Sequence, residues 1–257
     1  MKSSRENALN SATTKSKDNP VPLLFFPGLG ANARLFEYQA GFFDHLVVPS
    51  WQKPLERESL EDYCHRWSTS LDLPKKYFLG GVSFGSMVAI ELSKYLRPEG
   101  IFVISGCRTK NDIDERFRIQ EQLSRKIPSS LIKPVLGGIG LNYFAQKEGL
   151  DYEQTKILKS MVEEIDLDFF RWSSTAAAQW SFTGTDSRIT APIYQIHGEK
   201  DWVIGLQEGN ESEVIENGRH LINLTHPELV NRFILQKIEN HRMTHPLIMK
   251  KTSVMGG

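Results

Sequence analysis

The chain has 257 residues, 40% of them hydrophobic, and its 31 basic and 31 acidic side chains cancel to a formal net charge of zero. That length can bury one substantial core, while balanced charge without a basic patch argues against a nucleic-acid partner. Two cysteines, Cys64 and Cys107, are too few for a disulfide framework.

Residues 1–20 are rich in Ser, Lys, Asn and Thr and hold no apolar stretch. They read as a disordered tail rather than a secretory signal or a membrane span, which makes the cytoplasm the expected location and no membrane the expected partner. Val21 to Phe26 is an apolar strand, followed by the glycine-rich Pro27-Gly28-Leu29-Gly30-Ala31. A helix is expected over 32–41, a strand over 45–49 and a helix over 58–71. Strand 77–82 runs into helix 84–97, which carries Val88, Leu92 and Leu96 on one face, and strand 100–105 follows. Alternation of this kind implies an α/β fold with a mostly parallel sheet covered on both faces.

The alternation then breaks. From Arg108 to Arg188 about 80 residues pass without a good strand, too many for an ordinary connection. Helical patterns fall at 113–126, 152–165 and 167–180, and the last carries Phe169, Phe170, Trp172 and Trp180. These rings either line a hydrophobic site or hold the insertion to the body. Residues 129–140 read as an apolar connector punctuated by proline and glycine. Strands return at 192–197 and 212–216, and a final helix spans 227–240, opened by Thr225-His226-Pro227-Glu228 in the form of a capping box. The expected organisation is therefore a core of 21–108 and 188–243, a helical cap insertion over 109–187, and a frayed tail over 244–257.

The strand-to-helix corner holds Gly81-Val82-Ser83-Phe84-Gly85, the G-x-S-x-G spacing of a nucleophile elbow. Glycines flank the serine because the turn is too tight for side chains there, and the serine takes a strained conformation that lifts its hydroxyl clear of the sheet. Alone, the pentapeptide is equally a glycine-rich βα turn. In the α/β-hydrolase pattern that this elbow resembles, an acid and then a histidine follow later in the chain. Asp201 lies just past the strand that ends in His197-Gly198, where α/β sheets place their sites. Glu199 is a rival two residues closer, and a surface aspartate in a turn is the plain alternative. His220 stands in a loop between the strand near 213–215 and the final helix. The other histidines have simpler readings: His197 closes a strand, His226 caps a helix, and His45, His65, His241 and His245 lie in polar or terminal surroundings.

Gly28-Leu29-Gly30-Ala31-Asn32-Ala33 also matches the dinucleotide fingerprint G-x-G-x-x-A. That fingerprint requires an acid at the end of the next strand, which here ends in Pro49-Ser50-Trp51, so no nucleotide cofactor is expected. The same loop serves differently if the N–H of Leu29, with that of Phe84, forms an oxyanion hole. No cysteine–histidine cluster suggests a metal.

These residues resemble the α/β-hydrolase superfamily, and in particular its small capped, carboxylesterase-like members. The resemblance runs from about residue 21 to residue 240 and rests on Gly81 to Gly85, His197 to Asp201, and Gly218 to Pro227. Pro27, Ser86 and Arg219 depart from the frequent residues at their positions. The resemblance implies a Ser83–His220–Asp201 triad acting on a small-molecule ester, thioester or lactone without cofactor. A non-hydrolytic lyase using the same groups for proton transfer, and a catalytically silent binding protein, remain alternatives.

Overall fold

The computed structural model describes residues 21–124, 128–206 and 212–244. The expected tails lie outside them, apart from Thr244, which ends the final helix. Six parallel strands form one sheet in the order β2-β1-β3-β4-β5-β6, where β1 is Leu23–Phe26, β2 Leu46–Val47, β3 Phe78–Val82, β4 Ile101–Ile104, β5 Ile193–Gly198 and β6 Ser212–Ile215. Leu23 pairs with Phe78 and Phe26 with Gly81, then Leu79 with Ile101, Ile101 with Ile193, and Gln195 with Ser212.

β1, β3 and β4 hold no polar side chain because both faces of the sheet are covered there. Leu23 and Phe25 pack on one side with Phe36 and Phe233, while Leu24 and Phe26 pack on the other with Tyr63 and Trp67. The covering elements are α1 (Glu37–Phe42, after a 3-10 turn at Ala33–Phe36), α2 (Leu60–Ser68), α3 (Phe84–Ser93) and, after β6, α9 (Ile222–Thr225) and α10 (Pro227–Thr244). Between β4 and β5 come α4 (Glu115–Ser124), α5 (Ser129–Gly137), α6 (Ile139–Glu148), α7 (Tyr152–Glu163) and α8 (Leu167–Ala178). The strand order reverses between β1 and β3, so the loops leaving their carboxyl ends diverge and open a crevice. That crevice holds the candidate site.

Two local expectations are corrected. The stretch 129–140 is not a connector but helix α5 and the start of α6, broken at Gly138, whose N–H donates to Pro134 O at 3.1 Å. The helical period of 129–148 is masked because apolar residues occupy both faces: Leu131, Ile139 and Tyr143 are exposed, whereas Leu141 is buried. The capping box at Thr225 does not form. Thr225 belongs to α9, and its hydroxyl donates to Leu221 O at 3.0 Å instead of capping α10, so His226 is likewise no cap of the expected kind.

The aromatic residues of α8, together with Trp180 just beyond its end, divide. Phe169 stacks on Trp51 with ring centres 4.9 Å apart, Trp172 meets Tyr63 at 4.4 Å, and the Trp180 indole N–H donates to Glu91 Oε1 at 2.7 Å. These three fasten α8 to the body, each ring pair adding about 0.5–1.5 kcal/mol beyond its buried area. Phe170 alone of the four turns to the cavity above Ser83.

Candidate active site

Ser83 sits between β3 and α3 with φ 55° and ψ −120°, a strained conformation for a residue with a side chain. The surroundings hold it there: its N–H donates to Ile104 O at 3.0 Å, and its carbonyl accepts from both the N–H (3.0 Å) and the hydroxyl (2.6 Å) of Ser86. Ser86, one of the departures from the superfamily pattern, thus braces the corner. Gly85 must lack a side chain, because a Cβ there would strike the Phe26 and Pro27 carbonyls, the latter at 2.7 Å. Gly28 lies against the serine itself: a Cβ on it would come within 3.4 Å of Ser83 Cβ. The loop after β1 is thereby laid beside the hydroxyl. Among the described residues, neither the Leu29 nor the Phe84 N–H donates to another backbone group, and Phe84 is the first residue of α3, where the helix dipole favours negative charge.

Asp201 is buried in the loop after β5. Its Oδ1 accepts the N–H groups of Val203 and Ile204, each at 2.9 Å, and its Oδ2 faces Nδ1 of His220 at 2.9 Å. A carboxylate can only accept, so Nδ1 of His220 carries the hydrogen and Nε2 is left as the free base. Glu199 is exposed and accepts from Asn217 N–H at 2.9 Å, away from His220, which removes it as the acid. His197 does more than close a strand. Its Nε2 lies 2.7 Å from Ile204 O and 3.3 Å from Asp201 Oδ2, so it donates and braces the aspartate from behind. Nothing in its sequence context signals this, because the contact depends on the fold of the 201–204 turn.

Burial opposes ionisation of Asp201, but the His220 charge, the His220 hydrogen bond and the Ile204 N–H outweigh it and hold the carboxyl below its ordinary value. Burial also opposes a charged His220, and is outweighed by the Asp201 charge and hydrogen bond and by Glu148, so the imidazole lies above its ordinary value.

Glu148 was not foreseen, because it ends the helix whose period is masked. Only 2% exposed, it accepts the Trp202 indole N–H at 2.5 Å on one oxygen and the Leu221 N–H at 2.8 Å on the other. It therefore ties the residue after Asp201 to the residue after His220. Arg219 does not charge the cavity rim; its guanidinium donates to the carbonyls of Gln146 and Lys147 at the end of α6. The titratable groups around the His220 ring are thus Asp201, Glu148 and, behind the aspartate, His197. If His220 acts as a base, activity needs its neutral form and falls as pH drops through its raised pKa. The acid limb of kcat/KM is expected above the ordinary imidazole value. Glu148→Gln should move that limb to lower pH by removing a negative charge, and lower kcat several-fold because the amide satisfies only one of the two donors. A limb that stays put in a folded variant would remove Glu148 from the electrostatics of the site.

Ser83 and His220 open onto one cavity of about 320 Å³. They do not hydrogen-bond directly; contacts of this kind tighten when a substrate is bound. Among the described residues lining that cavity, they alone carry nitrogen or oxygen in their side chains; Leu35, Leu141, Phe144, Leu158, Met161 and Phe170 form much of the rest. Ser83 also lines a second cavity of about 50 Å³, walled by Leu29, Phe84, Met87, Cys107, Phe117 and the carboxylate of Asp114 among others. Burial above all pushes the Cys107 thiol up, so it stays neutral and is no rival nucleophile. Among the described residues no group of acidic, histidine or cysteine side chains is arranged to hold a metal ion, and no helix is long and apolar enough to cross a membrane.

No family model matches the chain, and no curated protein matches its sequence. Solved structures do. A thermophilic esterase from Thermogutta terrifontis is similar at TM-score 0.64 and 16% identity, over 87% of this chain and 91% of that one. A hydrolase from Oleispira antarctica is similar at TM-score 0.65 and 16% identity, over 86% and 92%. The enol-lactonase from Burkholderia xenovorans LB400 gives TM-score 0.65 and 12% identity, over 87% and 93%. At such identities the likeness establishes architecture alone.

Proposed function

We propose that this chain, which has the α/β-hydrolase fold, is a serine hydrolase cleaving a carboxylic ester, or a related thioester or lactone, of an apolar substrate. One observation carries the reading: an otherwise apolar cavity contains a strained serine and a histidine, and the histidine is bonded from behind to a buried carboxylate. In a purely structural turn, neither the strain at Ser83 nor the burial of Asp201 has a use.

In this mechanism Ser83 Oγ attacks the carbonyl carbon while His220 Nε2 takes its proton. Asp201 keeps the imidazole in the productive tautomer and stabilises its positive charge. The Leu29 and Phe84 N–H groups receive the developing oxyanion, each contributing about 3 kcal/mol of transition-state stabilisation. His220 then returns the proton to the leaving group, and water releases the acyl group by the same steps. The helices between β4 and β5 act as a cap that excludes bulk water, which strengthens each of these interactions. The esterase and lactonase chemistry of proteins with similar architecture agrees with this reading.

The test is intact-mass measurement after treatment with a fluorophosphonate. Wild type is expected to gain one adduct and Ser83→Ala none. A folded wild type that gains no adduct would overturn the serine-hydrolase reading in favour of a silent binding protein.

A further inference from the structure

We infer that the substrate is a short-acyl ester of a long apolar alcohol, with the acetyl-sized group in the small cavity and the alcohol in the large one. The inference rests on the serine-hydrolase reading and specifies which half of the ester lies where.

Ser83 lines both cavities, which differ more than sixfold in size, about 320 Å³ against about 50 Å³. At about 30 Å³ per heavy atom, the share a water molecule takes in the liquid, the first accepts ~10 heavy atoms and the second one or two. Size alone leaves two substrates possible: a long acyl chain on a small alcohol, or the reverse. His220 decides between them. In the first half-reaction the Ser83 Oγ–carbon bond forms, and the hydroxyl proton passes to His220 Nε2. The carbon–oxygen bond to the alcohol then breaks, and the departing oxygen takes that proton from Nε2. The leaving oxygen must therefore lie next to His220, and the chain it carries continues into the cavity that His220 lines. Among the described residues His220 lines the large cavity and not the small one. Phe84, whose N–H would help hold the carbonyl oxygen, lines the small cavity and not the large one, while Leu29 lines both, so the small cavity takes what remains on the carbonyl carbon. In the second half-reaction water adds to the acyl-serine, its proton passes through His220 to Ser83 Oγ, and a small carboxylic acid leaves.

The apolar lining fits an alkyl or terpenoid-like alcohol, since a polar one would leave its hydroxyls unpaired among Leu158, Met161, Ile165 and Phe170. Met87 sets the limit on the acyl side: it projects from α3, is 4% exposed and walls the small cavity.

The experiment compares octyl acetate with ethyl octanoate, isomers of the same atoms that exchange the long and short halves, using wild-type protein whose labelling by fluorophosphonate is measured in parallel. Octyl acetate is expected to have the higher kcat/KM by about 100-fold, within the range that a few misplaced methylenes cost in a fitted pocket. Met87→Ala should raise the ratio of ethyl butanoate to octyl acetate turnover about tenfold. Labelling of Ser83 together with equal rates, or a preference for ethyl octanoate, would overturn the placement of the two halves and leave the serine-hydrolase reading standing. Failure of both esters and of labelling would bring down that reading, and this inference with it.

Discussion

Ser83→Ala is expected to lower kcat on an activated ester by about 10⁴- to 10⁶-fold, with the folded state unchanged. The size follows from what one oxygen does: without it no acyl-enzyme forms, and only the cavity and the oxyanion donors still favour reaction with water. KM should change little, because the cavity walls and the Leu29 and Phe84 N–H groups remain. Stability should also hold. Alanine at φ 55° carries the same backbone strain as serine, and the bonds fixing the corner run through main-chain atoms of residue 83 and the Ser86 hydroxyl, all of which survive. The measurement is steady-state turnover alongside a thermal melt. A variant within about tenfold of wild type would overturn Ser83 as nucleophile, while a large drop in melting temperature would show that the hydroxyl is part of the scaffold.

Asp201→Asn is expected to cost about 10³- to 10⁴-fold in kcat, with little effect on KM. The direction comes from which oxygen is already committed. Oδ1 accepts two backbone N–H groups, from Val203 and Ile204, so an asparagine keeps its carbonyl oxygen there and turns its NH₂ to His220. His220 Nδ1 must then accept rather than donate, the hydrogen moves to Nε2, and that nitrogen can no longer take a proton. The new NH₂ also meets His197 Nε2, already a donor to Ile204 O, so two donors are opposed. Nitrogen-15 NMR of the imidazoles reports the tautomer directly, and kinetics report its consequence. Full activity in Asp201→Asn, or an unchanged His220 tautomer, would show that the aspartate is a loop-fixing residue.

Much of the sheet is legible in the sequence because β1, β3 and β4 are short apolar runs, a local signal that tertiary context has no reason to override in a sheet covered on both faces. Ser83, Asp201 and His220 stand out as candidates for a related reason: each follows a strand's carboxyl end or precedes a final helix, positions that chain order alone specifies. The helix at 139–148 was not, because apolar residues occupy both of its faces, one packed inward and one exposed, and amphipathic periodicity vanishes. Thr225 looked like a cap because its neighbours spell one. The preceding turn α9 took its hydroxyl instead, a competition between local hydrogen bonds that sequence spacing does not rank.

By itself, then, the sequence determined the class of architecture, the order of most of its elements and the candidate residues of the site, since these depend on periodicity, glycine sterics and chain order. Only the tertiary structure decided how those residues are supported and what they face. His197 behind Asp201, Glu148 bridging the loops of Asp201 and His220, Arg219 turned onto the end of α6, and the unequal cavities that Ser83 lines all join elements far apart in the chain. Such contacts depend on how helices and loops settle against one another, and no local pattern of residues encodes the distance between two side chains that dozens of intervening residues bring together.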